Sequence, residues 1–271
     1  MSEEIARLIE TSEPFFIGRI AGVELQIAYQ HQFRYPDAKL LEELENNAGI
    51  HVTDTTALLL YSDMLIRSYD HCTIIAEWTG KVLETISKGQ EFIQKRTPHI
   101  PKINARELEP YYPDVNWMPA MKGKRVLIIH PFITTIRIQV IHLKRVFPGK
   151  SWFEDCTFQF VKPPVTLAGN HQGICWKEHY DACIKDIDGI QDYDIALIAA
   201  GGYGMLLADY IFTEKKKQVI YIGGALQLFF GIIGKRWFDN REILTIMNDD
   251  WVRPNKERPA NCQRVEKGCY W

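Results

Sequence analysis

Gly201-Gly202-Tyr203-Gly204 follows the apolar run Asp194–Ala199 directly, and Gly223-Gly224 follows a second one, Gln218–Ile222. Glycine adopts backbone conformations that side chains forbid and lets a ligand approach N–H groups closely. Where such a turn opens a helix, orphan donors and the positive dipole end suit a phosphate. The glycines alone fit a tight strand–helix turn without a ligand equally well. The pattern is neither a full GxGxxG nor a Walker loop, and no acidic residue stands where a ribose would need one. Gln227 lies one turn beyond the second glycine pair, and the basic pair Lys235-Arg236 follows beside Trp237. Two glycine turns with cations and an aromatic nearby suit a diphosphate carrying a base. A solvated helix end is the other reading of Lys235 and Arg236.

A second candidate lies near the N-terminus. Arg19 and Glu24 fall in the segment GRIAGVE, just after a short apolar strand. A carboxylate near a buried turn can accept a proton or bind a divalent metal. The same glutamate also fits as a first-turn residue favoured by the helix dipole. His130 ends the run Arg125–His130, ahead of Pro131 and Thr134-Thr135. A strand-end histidine is most often structural, and a ligand role is the lesser reading. Asp249-Asp250 is read as a solvated acidic pair before it is read as metal ligands. No GxSxG, HExxH, HxxxH or CxxC occurs, so serine hydrolase, zinc protease and redox readings have no footing.

These residues need elements to position them. In the second half, apolar β-branched runs alternate with helical spacing. Strands are expected at Arg125–His130, Thr157–Val161, Asp194–Ala199 and Gln218–Ile222. Helices are expected at Thr134–Phe147, Gly173–Ile187, Tyr203–Thr213 and Ala225–Ile232. Continuous apolar strands separated by helices indicate a parallel sheet covered on both faces. Right-handed crossovers then place all strand C-terminal ends on one edge, where ligands bind. The fold class is therefore α/β, a Rossmann-like parallel sheet with helices on both faces and a helical N-terminal part. That part, 1–96, shows a helix at Glu3–Ile9, a strand at Phe15–Ile17 and a helix at Val23–Gln32. A further helix runs from an Asp37 cap to Glu45, and a long one starts at Thr53-Asp54. Cys72–Glu77 fits a strand or a helix start. A Pro-rich connector, 97–123, wraps on the surface and buries Tyr111, Tyr112, Trp117 and Met118. The Rossmann-like half spans 124–271, and the whole reads as a single domain.

The bulk numbers fit this. The chain has 271 residues, 46% hydrophobic and 24% charged, with a formal net charge of −2. A global basic field is absent, so no nucleic-acid partner is expected. The six cysteines form no CxxC pair and a core this large needs no staples, so they read as reduced thiols. The start MSEEIARLIE lacks a signal-peptide pattern, and glycines and Asp209 interrupt the apolar run 196–211. No transmembrane segment and a cytoplasmic location are expected, and a homodimer is compatible with the composition.

The block DIALIAAGGYGMLLADYIFTEKKKQVIYIGGALQLFFGIIGKRW resembles the C-terminal half of glycosyltransferases with the D-type fold, the DUF1792-like family. FFIGRIAGVEL resembles that family's IxRxGDGE segment. The ending, from Asn248, resembles a subset found in polysaccharide gene clusters. The likeness is specific over Asp194–Trp237 and loose over two thirds of the chain. It implies transfer of a sugar from a nucleotide diphosphate sugar, typically a UDP-sugar, to a glycan acceptor. It also implies an Asp-x-Glu motif that holds a divalent metal on the diphosphate. Carried over by position, Glu24 is the Glu and Arg19 the arginine, but Gly22 stands in place of the Asp. Glu24 becomes the expected catalytic residue, as base or as metal ligand. Arg19, Gly201, Gly202, Tyr203, Gly204, Gly223, Gly224, Gln227, Lys235 and Arg236 become the expected nucleotide-sugar contacts. No cofactor is expected to be required, with manganese or magnesium as the alternative. A catalytically inactive nucleotide-sugar or glycan-binding partner of another transferase is the runner-up reading. A nicotinamide dehydrogenase is weaker, because a full GxGxxG is missing.

Overall fold

The computed structural model describes residues 2–33 and 38–271. Its centre is one seven-stranded sheet in the order β3-β2-β1-β7-β6-β4-β5, with every pairing parallel. The strands are β1 (Phe16–Arg19), β2 (Ile74–Glu77), β3 (Lys102–Asn104), β4 (Arg125–Ile129), β5 (Thr157–Val161), β6 (Ile195–Ile198) and β7 (Gln218–Tyr221). Alternate strand residues serve two separate apolar clusters. Ile17, Ile74, Val126, Ile128, Leu197 and Ile220 face one side. Phe16, Ile75, Leu127, Ile129, Ile198 and Val219 face the other. Both faces are apolar because both are covered, as a parallel sheet requires.

The first cluster is covered by α1 (Ser2–Glu10), α6 (Ile133–Gln139), the 3-10 turns Met118–Met121 and Gly223–Phe230, and α10 (Arg241–Ile246). The second is covered by α2 (Val23–Phe33), α4 (Thr55–Asp70), α5 (Lys81–Arg96), α8 (Trp176–Asp188) and α9 (Gly204–Thr213). Two shorter helices, α3 (Ala38–Glu43) and α7 (Leu143–Val146), complete the set.

Several expectations shift. The strand expected at Phe15–Ile17 lies at Phe16–Arg19, and Cys72–Glu77, open between strand and helix start, holds the strand Ile74–Glu77; both belong to the central sheet. The Pro-rich connector hides an edge strand, β3, which pairs with β2. Three residues are too few for a periodic signal. The expected helix over Thr134–Phe147 is broken by a 3-10 turn at Val140–His142, and the one expected from Gly173 begins at Trp176. The expected helix at Ala225–Ile232 is 3-10 over Gly223–Phe230. Asp37 lies outside the described residues. The helix expected to reach Glu45 instead closes in a π-turn, Leu44–Ala48, ended by Gly49 in the left-handed region at φ 76°. Asp54 caps α4 as its position suggests, accepting from Ala57 N–H at 2.8 Å. All six cysteines are free thiols. Among the described residues, no helix is long and apolar enough to cross a membrane.

The chain moves outward from β1 through β2 to β3, crosses to β4 and β5, then returns through β6 to β7 beside β1. The direction of winding therefore reverses between β4 and β6, and the chain after β1 passes to α2 on one face while the chain after β7 passes to the Gly223–Phe230 turn on the other. Beyond the carboxyl ends of such strands the connections part and leave a crevice.

Candidate ligand-binding site at the strand ends

A cavity of about 550 Å³ fills that crevice. It is lined by the turns after β1, β2, β4, β6 and β7, and the C-terminal segment walls one side with Glu266, Tyr270 and Trp271. The volume falls within the roughly 300–1,000 Å³ of small-molecule sites.

Arg19, the last residue of β1, is buried. Its Nη1 donates to the carbonyl of Ile222, which belongs to the turn after β7. Its Nη2 stands 3.7 Å from Glu109 Oε1. The guanidinium also lies over Trp78, 4.1 Å from the ring centroid. Trp78 is held in turn: its indole N–H donates to Ile20 O at 2.9 Å, and Gln90 brackets its backbone at 2.9 and 3.1 Å. Glu109 accepts from the Tyr111 hydroxyl at 2.5 Å. Sequence reasoning missed Trp78, Gln90 and Glu109, because no motif in the sequence around them marks a site.

Glu24 sits in the first turn of α2 and is also buried, at 8% exposure. Burial raises its pKa above the ordinary 4.5, against hydrogen bonds from the backbone of Glu24 and Gly22, and the nearby charge of Glu266 pushes the same way as burial. Its charge in turn raises the pKa of Tyr61 and Tyr221, after burial, the largest cause in each. Tyrosine hydroxyls pin the surrounding turns. Tyr61 donates to Gly202 O at 2.9 Å, Tyr221 to Gly201 O at 3.1 Å and Tyr69 to Arg19 O at 3.1 Å. The Tyr69 hydroxyl also accepts from Ala21 N–H at 2.9 Å.

The glycines divide into two groups. Gly201 and Gly223 line the cavity with φ +50° and +76°, conformations that disfavour a side chain. A Cβ on Gly223 would lie 3.3 Å from Arg19 Nη1. Gly224 also lines the cavity, but its missing Cβ makes room for the Tyr270 ring, 2.3 Å away. Gly202 and Gly204 do not line it. A Cβ on Gly202 would meet Ile50 at 2.4 Å, and one on Gly204 would meet the Tyr221 ring at 2.1 Å. These two are glycine for packing, so the expectation that every glycine of both turns cradles phosphate narrows to Gly201, Gly223 and Gly224.

Tyr203 is buried away from the cavity, its hydroxyl donating to Gly49 O at 3.3 Å. Gln227 borders the cavity, but its amide donates to Ile232 O at 3.1 Å and Tyr270 O at 3.3 Å, which ties down the C-terminal segment. Arg236 reaches the cavity, pairs with Glu266 and stacks 4.6 Å from the Tyr270 centroid. Lys235 is exposed and does not line the cavity. Nor do Asp249 and Asp250, the latter 3.4 Å from Arg145.

The donor set does not suit a protein-held divalent cation. Such an ion wants several oxygen ligands. Glu109 and Glu266 are engaged with arginines, Gly22 offers no side chain, and Glu24 remains alone. Among the described residues, three potential ligands converge only elsewhere, at Glu45, His51 and His171. There the imidazoles are stacked, 3.6 Å apart and 11° from parallel. A metal must lie in the plane of each ligating ring, and stacked planes share no such point. Glu45 instead bridges them, Oε2 at 2.8 Å from His51 Nδ1 and Oε1 at 3.3 Å from His171 Nε2. His171 Nδ1 accepts from Gly173 N–H at 3.0 Å, which puts its proton on Nε2, facing the carboxylate. The cluster is a clasp joining the π-turn to the 171–173 loop.

No family model and no curated protein matches the chain. Among solved structures, it is similar to the selenomethionine-substituted structure of a domain of unknown function 1792 (DUF1792). The likeness covers 83% of this chain and 83% of that chain, at 13% identity and a TM-score of 0.42.

Proposed function

We propose that the chain is a glycosyltransferase that binds a nucleotide diphosphate sugar, a UDP-sugar, in the strand-end cavity and moves the sugar to a glycan hydroxyl. The observation that carries this reading is the convergence of Arg19 and Glu24 with Gly201, Gly223 and Arg236 in one cavity. These positions lie far apart in sequence and come from both segments that carry the family resemblance.

In this reading Glu24 takes the proton of the acceptor hydroxyl as its oxygen bonds to the anomeric carbon. A buried carboxylate with a raised pKa is a better base near neutrality than a free one. The bond from that carbon to the phosphate oxygen breaks, and the electron pair leaves with UDP. Arg236 is the cation available to it, since its pairing with Glu266 is 38% and 50% exposed and can exchange for phosphate. Arg19 is fixed by Ile222, Glu109 and Trp78 and shapes the turn beside the ligand. Backbone N–H groups at Gly201 and Gly223 complete the phosphate contacts, and no step is assigned to a metal.

Gly22 favours a second reading, a binder without turnover. Thermal shift and UDP release separate the two. UDP or a UDP-sugar should raise the melting temperature and NAD should not; ligand at 100 times its dissociation constant stabilises by ~2.7 kcal/mol. UDP release with acceptor, in chelator, supports the transferase. Binding without release supports the inactive partner. No shift with any nucleotide or nucleotide sugar refutes both, and turnover restored only by manganese refutes the metal-free scheme.

A further inference from the structure

His130 has no part in the scheme above, yet the end of β4 delivers it to the cavity beside Pro131 and Phe132. It is 2% exposed. Its Nδ1 lies 2.9 Å from Phe132 N, which donates to it. A ring nitrogen that accepts from an amide carries no proton, so in the neutral ring the proton sits on Nε2. Burial holds the pKa down, to about 3, so the ring stays neutral at any working pH. Among the described residues the ring's one hydrogen bond is that at Nδ1, and the cavity is the open space that the ring borders. An unpaired donor at the wall of a cavity is met by a ligand that brings an acceptor.

We infer that His130 is a fixed, neutral hydrogen-bond donor whose Nε2–H takes an oxygen of the bound nucleotide's diphosphate. This rests on the nucleotide-sugar reading of the cavity. The arrangement differs from that of the two arginines. Each arginine faces a glutamate, whereas the imidazole meets the ligand without first giving up a charge partner. The backbone amide of Phe132 fixes both the ring's orientation and its tautomer, so the donor is organised before the ligand arrives. His130 thus places a donor on the β4 side of the crevice, with β6 between it and the Gly223 turn after β7.

Calorimetric titration of UDP and of uridine into wild type, His130→Leu and His130→Gln tests this, together with nitrogen NMR of the wild-type imidazole. The Leu variant should lose ~10-fold or more in UDP affinity. Its uridine affinity should hold, and Gln, which retains a donor, should recover part of the loss. A merely structural role would weaken both ligands alike. In the spectrum, the Nε2–H tautomer should persist from pH 5 to 8 and its signal should move on adding UDP. If wild type binds UDP and the Leu variant binds it equally well, the inference fails while the nucleotide reading stands. If wild type binds no UDP, both fall. A proton on Nδ1 in the free protein overturns the inference without any variant.

Discussion

Arg19→Met removes the cation on which three contacts converge. The guanidinium donates to Ile222 O, faces Glu109 at 3.7 Å and lies 4.1 Å from the centre of Trp78. The paired side chains are only 11% and 13% exposed, so solvent screens the pair weakly. Removing one partner of a buried pair costs about 3–5 kcal/mol, because the other charge is stranded. Glu109 keeps its Tyr111 hydroxyl at 2.5 Å, and the 3.7 Å separation is not tight, which moves the expectation to the lower end, about 3 kcal/mol. Adding Glu109→Gln removes the stranded charge. Replacing both partners is far milder than removing one, so the double variant should regain at least about 1 kcal/mol over Arg19→Met alone. Urea unfolding followed by tryptophan fluorescence measures this, provided the slope with denaturant stays constant. A loss below about 1 kcal/mol for Arg19→Met, or a double variant no more stable than the single, would refute the argument that Glu109 depends on Arg19.

Two further perturbations act on Glu24. Its folded pKa is raised by burial, so the folded state holds a proton that the unfolded state has released in the window above the ordinary 4.5. Stability from this group is therefore complete below that value and is lost as pH rises through the folded pKa, by about 1.4 kcal/mol for each factor of ten by which burial tightens the proton's hold. Melts from pH 4 to 8 should show Glu24→Gln matching wild type in acid and exceeding it at pH 8; identical slopes would contradict the burial argument. Gly22→Asp adds a second carboxylate where a Cβ meets only Glu24 Oε2, at 3.9 Å. This variant should melt below wild type without metal and gain stability with manganese, while wild type gains none; an unchanged melt with manganese would mean the space is not shaped for a cation.

The sheet's second half was legible because its apolar runs alternate regularly with segments of helical spacing. Val126–Ile129 and Val219–Tyr221 are wholly apolar, and helical spacing follows each. The first half was harder. β1 showed as an apolar run, but β2 stayed open between strand and helix start, and β3, three residues in a Pro-rich stretch, gave no periodic signal. Their strand character comes from tertiary pairing, Ile17 beside Ile74 and Ala76 beside Ile103, which no local window contains. The helical breaks at Val140 and Leu44 have no Pro or Gly at the break to announce them.

The site shows the same division, and the reason lies in what each residue type can signal. Glycine turns, Arg19 and Glu24 announce themselves because their chemistry is local: a positive φ, a charge beside a strand end. What a glycine makes room for is not local. Gly202 and Gly204 look like ligand glycines in sequence, yet the atoms that need their missing Cβ belong to Ile50 and Tyr221. Gly224 makes way for Tyr270, 46 residues on. Charge balance is equally hidden. Lys235 and Arg236 read as a free basic pair, but Arg236 already faces Glu266, and Arg19 faces Glu109. Two arginines therefore meet three carboxylates in this cavity, Glu24 included. A diphosphate entering it must displace a carboxylate, find Glu24 protonated or bring a counter-cation with it. The pH dependence of Glu24→Gln and the manganese response of Gly22→Asp distinguish those three routes.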